Sequence, residues 1–341
     1  MRAILLCAGR GVRFLPVSEA IPKPLLPFLN VPLASAHLRR LREVGVGEVA
    51  INLHHLGDQI QNYLGHQEAD LPKLTFFAEP RILGTAGALR NAAPFLSGGD
   101  FLVVNADAAI VPDFSRLLSE HRRSGRAATL LVTENRDPQT YTPLQAEGDR
   151  ISAFGVHSPR PLLYTGVCVL SPALLARIPA GETGLVKHLW QPLLDQGREE
   201  IGWVLHEKSF ADLGRPGDFL RASLEALAGS GPFPEGGGDF DDRLRVLVRE
   251  APRGFEAADS VLGRVAVGPG ASIRRSVVFD GVRIGEGARL QDCLVARGFV
   301  PPGSDHSKAL LWSAAGGDVG VFPLSGFDRN DHGVQPLSPR R

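Results

Sequence analysis

Residues 3–16 read AILLCAGRGVRFLP, and residues 21–27 follow as IPKPLLP. An uninterrupted apolar run that ends at glycines is typical of a buried parallel strand entering a loop. Glycines let backbone amides approach an anion closely, and a helix starting there would add its dipole. Arg13 carries a permanently charged planar fork that suits phosphate oxygens, and Lys23 adds a second cation between two prolines. The stretch predicts a phosphate-binding loop, with an ordinary strand–turn–helix join as the alternative.

The composition limits the class of protein. A chain of 341 residues is long enough for two domains, and its 37 basic and 37 acidic residues balance. That balance argues against a broad nucleic-acid-binding surface. Cys7, Cys168 and Cys293 have no metal-ligand spacing, and their odd number argues against a disulfide framework. Since no apolar run reaches the length of a membrane span or a signal peptide, we expect a cytoplasmic protein that binds neither nucleic acid nor membrane.

Strands and helices alternate along the first 228 residues. This alternation predicts right-handed parallel crossovers and a doubly wound, Rossmann-like α/β sheet, which becomes mixed where the order loosens after residue 127. The predicted early strands are 3–8, 48–53, 74–78 and 101–105, and the predicted helices between them are 32–45, 56–64 and 86–96.

An internal repeat follows a cluster of glycines and prolines. The stretch VGPGASI at residues 267–273 is echoed by IGEGARL at residues 284–290, and Val278 and Val295 fall at matching positions. Aliphatic residues about every six positions, with glycines between them, are typical of short strands stacked on triangular coils. We therefore predict a short left-handed β-helix over residues 261–302, with a small β-sandwich as the alternative.

These patterns divide the chain into four parts. We expect an α/β domain over 1–228, a linker over 229–240, a hexapeptide-repeat domain over 241–325 and a flexible tail over 326–341.

Two aspartates follow predicted strands. Asp107 comes after the buried run 101–105, and Asp212 comes after a strand and precedes Leu-Gly-Arg-Pro. Ligands bind outside the carboxyl ends of strands in open α/β sheets, where the glycine loop also opens. Mg²⁺ prefers one or two carboxylates together with phosphate oxygens. The pattern indicates a magnesium-assisted phosphoryl or nucleotidyl transfer, and a strand-end aspartate that forms a turn is the alternative.

Small residues follow the third strand, in the stretch Leu83-Gly-Thr-Ala-Gly87. They would let a flat ring lie against the backbone, and Thr85 would serve as the N-cap of the next helix. The pair His54-His55 has no carboxylate partner in the sequence, so we interpret these residues as histidines of a loop or helix start.

These motifs together resemble the sugar-1-phosphate nucleotidylyltransferases. The resemblance rests on residues 9–16 with 22–27, on 83–87, on Val104-Asn-Ala-Asp107 and on Asp212-Leu-Gly-Arg-Pro216, and it extends over residues 1–228. The hexapeptide coil and the stretch Asn52-Leu-His-His55 are similar to the mannose-1-phosphate guanylyltransferase-like branch of this family.

The resemblance implies a role for each motif residue. Arg13 and Lys23 would be catalytic, holding the leaving pyrophosphate and the reacting phosphate, and Asp107 and Asp212 would hold Mg²⁺. The remaining residues implied by the resemblance are Ala8, Gly9, Gly11, Gly84, Thr85 and Gly87 at the nucleotide, and Tyr164, Thr165 and Gly166 at the sugar.

Some positions depart from the family pattern. Val12 replaces a frequent threonine, Ala106 replaces the glycine of Asn-Gly-Asp, and Ala211 stands where an aromatic residue is common. The Glu-Lys-Pro sugar motif also has no clear counterpart, since residues 154–159 occupy that region. None of these changes removes a charge from the predicted metal or triphosphate site.

The resemblance implies transfer of a nucleotidyl group from a nucleoside triphosphate to a sugar 1-phosphate, with GTP and mannose 1-phosphate first. Use of UTP or dTTP with glucose 1-phosphate or N-acetylmuramate 1-phosphate is the alternative within the enzyme class. A non-catalytic regulatory subunit that binds nucleotide sugars is the alternative from another class. An acyltransferase acting through the coils is a further one, although residues 261–302 contain no histidine. The coils are interpreted as a regulatory surface or as the contact of a homo-oligomer.

Overall fold

The computed structural model describes residues 1–66, 71–156, 158–197, 200–231, 236–243, 245–250, 254–314 and 316–324. The chain divides into two compact units, and each is described by itself. The first unit comprises residues 1–10 and 34–208, and the second comprises residues 11–33 and 209–341. The predicted tail over 326–341 lies outside the described residues.

The strands up to residue 212 belong mainly to the first unit. In chain order they are β1 (Arg2–Leu6), β2 (Pro27–Phe28), β3 (Val31–Pro32), β4 (Glu48–Leu53), β5 (Lys73–Ala78), β6 (Phe101–Asn105), β7 (Ala108–Ile110), β8 (Ala128–Glu134), β9 (Leu144–Glu147), β10 (Arg150–Phe154), β11 (Leu162–Leu170), β12 (Ile201–Leu205) and β13 (Phe210–Asp212).

The first helices lie in the segments predicted for them, although the predicted helix 86–96 is divided into two, and the helix Phe114–Ser124 was not predicted. The helices are α1 (Leu33–Glu43), α2 (Gly57–Gly65), α3 (Gly84–Asn91), α4 (Ala93–Leu96), α5 (Phe114–Ser124), α6 (Gln191–Asp195) and α7 (Pro216–Leu227), with a π-helical turn at Val186–Trp190 before α6. The predicted phosphate loop leads into a 3-10 turn at Val12–Phe14 rather than into an α-helix, and a further 3-10 helix spans Pro172–Arg177.

A nine-stranded mixed sheet forms the first unit, in the order β5-β4-β1-β6-β11-β8-β12-β10-β9. The strands β5, β4, β1 and β6 are parallel, as predicted. Strand β11 runs antiparallel between β6 and β8, so parallel crossovers do not extend through the sheet. Aliphatic residues of both faces are fully buried, and helices pack over them, so the central strands read as continuous apolar runs.

Short strands dominate the second unit. They are β14 (Asp239–Asp241), β15 (Val246–Glu250), β16 (Glu256–Ala258), β17 (Ser260–Arg264), β18 (Ala266–Val267), β19 (Ser272–Arg274), β20 (Val277–Val278), β21 (Arg283–Ile284), β22 (Arg289–Gln291), β23 (Leu294–Arg297), β24 (Phe299–Val300), β25 (Asp305–Ser307), β26 (Ala309–Trp312) and β27 (Gly320–Pro323).

Strands β15 to β26 stack in three parallel sheets, which we call the coil stack (residues 246–312). Residues of the two repeat copies pair directly, with Val267 opposite Ile284 and Ile273 opposite Leu290. Their side chains lie in one buried apolar cluster, as the six-residue period predicted. The arrangement is consistent with a β-helix, and it begins before residue 261 and continues past residue 302 because coils with less regular sequence belong to it.

A ladder of small polar side chains runs through the coil stack. The backbone N–H of Ser276 donates to Ser260 Oγ at 3.1 Å, and the N–H of Cys293 donates to Ser276 Oγ at 3.1 Å. Each serine hydroxyl in turn donates to a carbonyl two residues back in its own coil. The buried amides that the coil corners leave unpaired are therefore satisfied by the preceding coil.

Replacing Ser276 by alanine is expected to lower the free energy of unfolding by about 1–3 kcal/mol, because the buried Cys293 amide loses its acceptor. Ser276→Cys should lose less, since sulfur is a weak acceptor. Ser307→Ala, at an exposed position of the same stack, is the control and should change stability by less than about 0.5 kcal/mol. Denaturant unfolding measures all three, and equal stabilities for the two alanine variants would contradict the ladder.

None of the helices in the described part of the chain is long and apolar enough to cross a membrane.

Candidate active site

The carboxyl ends of four parallel strands meet at one edge of the first unit's sheet. Leu6 lies opposite both Asn52 and Asn105 in the register of β1, so the residues that follow these strands share that edge. The start of β11 reaches the same edge because the strand runs antiparallel to β6, with Val167 opposite Val104. The edge is the place where ligands bind in open α/β sheets.

A buried network joins three of these strand ends. The Cys7 amide donates to Asn52 Oδ1 at 2.7 Å, and Asn52 Nδ2 donates to Glu79 Oε1 at 2.9 Å. The other carboxylate oxygen, Glu79 Oε2, accepts from the Leu83 amide at 2.9 Å. Asn52 and Glu79 are almost fully buried, and their polar groups are thus satisfied. The sequence reading missed both residues; the signal was a polar residue at or just after the end of an apolar strand.

His54 lies in the loop before α2, as predicted. Its Nδ1 lies 2.8 Å from the carbonyl oxygen of Glu79, to which it donates. The ring therefore tethers the ends of β4 and β5, which is a structural role.

The small residues at 83–87 pack against another loop of the same unit. The amides of Ala86 and Gly87 donate to the Thr183 carbonyl at 2.8 and 3.2 Å. Gly84 has φ +71°, and a Cβ there would lie 2.6 Å from the same carbonyl oxygen. The prediction that Thr85 caps the helix is wrong, because α3 begins at Gly84 and Thr85 Oγ1 accepts from the Leu185 amide at 3.0 Å. The close packing of this backbone against the loop at Thr183 accounts for the small side chains at residues 83–87.

Gly9 differs from these glycines. A Cβ at Gly9 would meet no atom within 4 Å, so the missing side chain leaves open space beside the backbone. The preceding Ala8 is buried. Space that protein atoms do not fill beside a strand-end loop is where a ligand could approach main-chain amides.

Asp107 lies in the turn between β6 and β7 and is half-buried. Its charge acts on two buried neighbours. Burial lowers the pKa of His37 to about 4, with the Asp107 carboxylate opposing that shift, so His37 is neutral near pH 7 and its Nε2 donates to the Ala108 carbonyl at 2.9 Å. Burial, and then the Asp107 charge, raise the pKa of the Cys7 thiol. Near neutral pH, Asp107 therefore faces a neutral imidazole and a neutral thiol.

The three predicted sugar residues lie at a β-bulge of strand β11, between Tyr164 and Val167. The Tyr164 hydroxyl donates to Cys168 Sγ at 3.3 Å, and the Thr165 hydroxyl donates to the Leu131 carbonyl at 2.8 Å. Gly166 has φ +85°, and a Cβ there would lie 2.7–2.8 Å from the Asn105 side chain. These contacts direct both hydroxyls inward, which leaves backbone groups as the means by which this bulge could contact a ligand.

Gly11 and Lys23 lie together in the second unit. Gly11 has φ +65°, and a Cβ there would lie 2.9 Å from Lys23 Cγ and 3.0 Å from Ser18 Cβ. Ser18 Oγ donates to the Gly11 carbonyl at 2.9 Å, and Lys23 is only 6% exposed. The lysine stem is thus enclosed by its own loop, which limits the positions that its ammonium group can reach.

Arg13 and Asp212 form an ion pair in the second unit, with Arg13 Nη2 3.7 Å from Asp212 Oδ2. The Arg13 side chain is half exposed and Asp212 is largely buried. The guanidinium lies against Gly214, where a Cβ would come within 2.8–2.9 Å of its carbon and nitrogens. A predicted phosphate-binding cation and a predicted metal-binding carboxylate are therefore adjacent, and Gly214 makes room for the cation.

Further charges surround this pair. Burial raises the pKa of Asp218, while Arg221, Arg215 and Arg13 oppose the shift. Arg221 Nη2 lies 2.5 Å from Asp218 Oδ1. Three guanidinium groups therefore act on Asp218, and one of them, that of Arg13, also pairs with Asp212; such a concentration of positive charge favours a polyanionic ligand.

Carboxylates of the kind that Mg²⁺ uses together with substrate phosphates occur in each unit. Asp107 supplies hard oxygen donors in the first unit, and Asp212 supplies them in the second. Among the described residues, no group of three or more His, Cys, Asp or Glu side chains is arranged to hold a metal ion.

A nucleotidyl transferase family model matches residues 2–228. The match covers the glycine loop, both aspartates and helix α7. The chain belongs to the nucleotidyl transferase family.

Within this family, the chain is similar to proteins named mannose-1-phosphate guanylyltransferase. It is 30% identical over 315 residues to the probable mannose-1-phosphate guanylyltransferase 1 of Oryza sativa, which covers 87% of this chain and 82% of that protein. It is 28% identical over 296 residues to the mannose-1-phosphate guanylyltransferase of Mycobacterium tuberculosis, which covers 85% of this chain and 82% of that protein. The predicted resemblance is confirmed.

Solved structures share the fold of the matched part. The crystal structure of HddC from Yersinia pseudotuberculosis superimposes with a TM-score of 0.56 at 22% identity, over 66% of this chain and 99% of that chain. A second HddC structure, complexed with GMP-PN, superimposes equally well at 21% identity.

Proposed function

We propose that this chain transfers the guanylyl group of GTP to mannose 1-phosphate, giving GDP-mannose and pyrophosphate. The single observation that carries the proposal is the similarity to proteins named mannose-1-phosphate guanylyltransferase, which spans more than four fifths of both chains. Because the match continues past residue 228, it includes much of the coil stack as well as the family domain.

The proposed reaction is an in-line displacement. An oxygen of the sugar phosphate forms a bond to the α-phosphorus, and the bond from that phosphorus to the bridging oxygen of pyrophosphate breaks. The attacking phosphate is already ionised near neutral pH, so the step needs no general base. Catalysis then depends on positioning and on stabilising negative charge as it moves to the leaving group.

The residue roles are part of this proposal. Arg13 would hold the departing pyrophosphate, and the ion pair with Asp212 supports a position beside the metal-bound phosphates. Lys23 would bind the reacting phosphate, which its enclosure by Gly11 supports. Asp107 and Asp212 would hold Mg²⁺, which, when bound, neutralises phosphate oxygens.

Further residues are proposed to contact the nucleotide and the sugar. Ala8, Gly9 and Gly11 would present backbone amides to the phosphates, and the open space beside Gly9 supports this. Residues 83–87 would lie at the base and ribose, and the bulge at Tyr164, Thr165 and Gly166 would contact the sugar through its backbone.

A pyrophosphate-release screen tests the proposal. GTP, UTP, dTTP and ATP are each combined with mannose, glucose and N-acetylmuramate 1-phosphates, with Mg²⁺ present. GTP with mannose 1-phosphate is expected to give the highest kcat/KM. A higher value with UTP or dTTP would keep the enzyme class and change the substrates.

The same screen tests the alternative that the chain is a non-catalytic regulatory subunit. A regulatory subunit would bind GDP-mannose and release no pyrophosphate with any pair. The departures from the family pattern at Ala106 and Ala211 motivate that alternative. Ala106 is fully buried, and its amide donates to the Leu6 carbonyl at 3.2 Å. The methyl group is thus packed within the sheet edge, and nothing in its surroundings argues for lost catalysis.

The coil stack gives no support to an acyltransferase. His306 lies in β25, beyond the region predicted to be coiled, in register with Leu290 of the apolar cluster. Its Nε2 is buried and has no hydrogen-bond partner among the described residues. A histidine directed into the coil interior is not placed to act as a base on a substrate.

The organisation of the second unit completes the proposal. The coils are proposed to wind left-handed, with domain boundaries at residues 228, 240 and 325, and to form the contact of a homo-oligomer. From β17 to β26, successive coils pair at offsets of 16 or 17 residues, as between Val261 and Val277 and between Val278 and Val295, which supports a triangular coil.

Gly214→Ala is expected to lower turnover at least about tenfold, because its Cβ would displace the Arg13 guanidinium. The free energy of unfolding should change by less than about 0.5 kcal/mol, since the obstructed atoms end a flexible side chain. Gly47→Ala is the control, because a Cβ there meets nothing within 4 Å. Steady-state kinetics measures the turnover, and denaturant unfolding measures the stability. Unchanged turnover in Gly214→Ala would contradict a role for Arg13 in the reaction.

A further inference from the structure

The segment 11–33 carries Arg13 and Lys23 and belongs to the same compact unit as the coil stack. The family model ends at residue 228, before the coil stack begins. The packing of this segment therefore depends on a part of the chain that lies outside the family domain.

Four buried phenylalanines connect the segment to the coil stack. Phe14 and Phe28 make edge-to-face contacts with Phe219 of α7, at centroid distances of 5.9 and 5.7 Å. Phe219 also contacts Phe279 of the coil stack, at a centroid distance of 5.7 Å. All four rings are at most 3% exposed. Aromatic pairs of this geometry bury apolar area and also prefer a particular ring orientation. They therefore fix how the segment 11–33 is oriented on the residues it packs against.

The hairpin of β2 and β3 makes a second connection. Its two turn residues, Leu29 and Asn30, have φ of 48° and 64°. A leucine in this region is costly, so the turn needs support from its surroundings. Asn30 Nδ2 donates to the Leu262 carbonyl of β17 at 2.9 Å, and the Gly237 amide donates to the Leu29 carbonyl at 2.8 Å.

We propose that the coil stack positions the catalytic cations, with Phe279 and Asn30 as positioning residues. Phe14 adjoins Arg13 in sequence, and Lys23 lies four residues before β2. Each cation is therefore close in sequence to one of the two connections to the coil stack. A displacement of about 1 Å at a reacting centre can lower the rate about 10²-fold. The inference rests on the proposed function, and it assigns the coil stack a part in catalysis.

Phe279→Ala is expected to lower kcat at least about tenfold, with KM for both substrates changed less than about threefold. Leu290→Ala is the matched control, because Leu290 is 2% exposed within the coil interior, in a different sheet of the stack. Both variants should unfold at lower temperature, and only Phe279→Ala should lose kcat. Phe279→Leu should recover part of the loss. An equal kcat loss in Leu290→Ala would reduce the effect to general destabilisation.

Asn30→Gly provides a variant that keeps the backbone unstrained, since glycine accepts φ of 64°. It removes the donor to Leu262 and is expected to lower kcat with little change in KM. In an Arg13→Ala background, Phe279→Ala should cost much less than in the native protein, because the group it positions is gone. Fully additive losses would overturn the inference.

Amide hydrogen exchange gives a readout that does not depend on turnover. Residues 11–33 should exchange faster in Phe279→Ala than in the native protein, and Leu290→Ala should leave them protected. Unchanged exchange in Phe279→Ala overturns the inference. A native protein that releases no pyrophosphate would instead defeat the proposed function, while the exchange result would still decide whether the coil stack holds this segment.

Discussion

Lys23→Met should lower turnover about 10²–10³-fold while leaving the fold intact. The methionine keeps an apolar stem against Gly11 and removes only the charge. Fixed cations at a transferring phosphoryl group act in a site shielded from water, where removing one such electrostatic group typically costs that factor. Steady-state kinetics with the best substrate pair from the screen gives the ratio, and circular dichroism checks the fold.

Lys73→Met is the matched control. Lys73 is 77% exposed and lies 4.0 Å from Glu48, so its charge is screened and contributes little to stability. Its replacement should leave turnover unchanged. Near-normal turnover in Lys23→Met would exclude this lysine from the reacting centre, whatever the outcome at Lys73.

Asp107→Asn should lower turnover by a similar factor and raise the Mg²⁺ concentration needed for half-maximal rate. The amide keeps the size of the side chain but loses the negative charge that favours a divalent cation. Titration of the rate with Mg²⁺ separates this effect from a general loss of activity, which would leave the half-maximal concentration where it is.

The control for Asp107 is Asp113→Asn. Asp113 caps α5 by accepting from the Arg116 amide at 2.9 Å, and asparagine caps helices equally well. This variant should match the native protein in turnover and in Mg²⁺ dependence. If Asp107→Asn behaved in the same way as Asp113→Asn, the metal assignment would be lost.

The local patterns predicted the repeating parts of the fold. Val267 pairs with Ile284 and Val278 with Val295, as the 17-residue echo required, because identical coils must place identical residues in register. The strands at 48–53 and 101–105 were likewise predictable, since a strand buried on both faces is apolar along its central residues.

Long-range pairing could not be predicted in the same way. Nothing in residues 162–170 indicates that β11 inserts antiparallel between β6 and β8. The inward hydrogen bond of Thr165 depends on the carbonyl of Leu131, which lies 34 residues away in the chain on the neighbouring strand. Thr85 looked like a helix cap because the opposing loop at Thr183, which satisfies the helix amides, is about a hundred residues away.

The residue types within each motif predicted the candidate site residues, but they did not predict which residues these contact. Arg13 and Asp212 were each identified from their own motif, yet their contact depends on the second unit bringing together residues almost two hundred positions apart. Glu79 and Asn52 were given no role because a polar residue at the end of an apolar strand does not reveal its hydrogen-bond partner, which here lies 27 residues away.

The second unit consists of two stretches of chain that are far apart in sequence, and this has a consequence during synthesis. The segment 11–33 leaves the ribosome some two hundred residues before Phe219, Leu262 and Phe279, the residues to which its packing connects. At about 5–20 residues per second, the segment waits roughly 10–50 s for these partners. A nascent chain can therefore complete its large sheet early and still lack a competent phosphate loop. Activity should therefore appear only after the coils have been made.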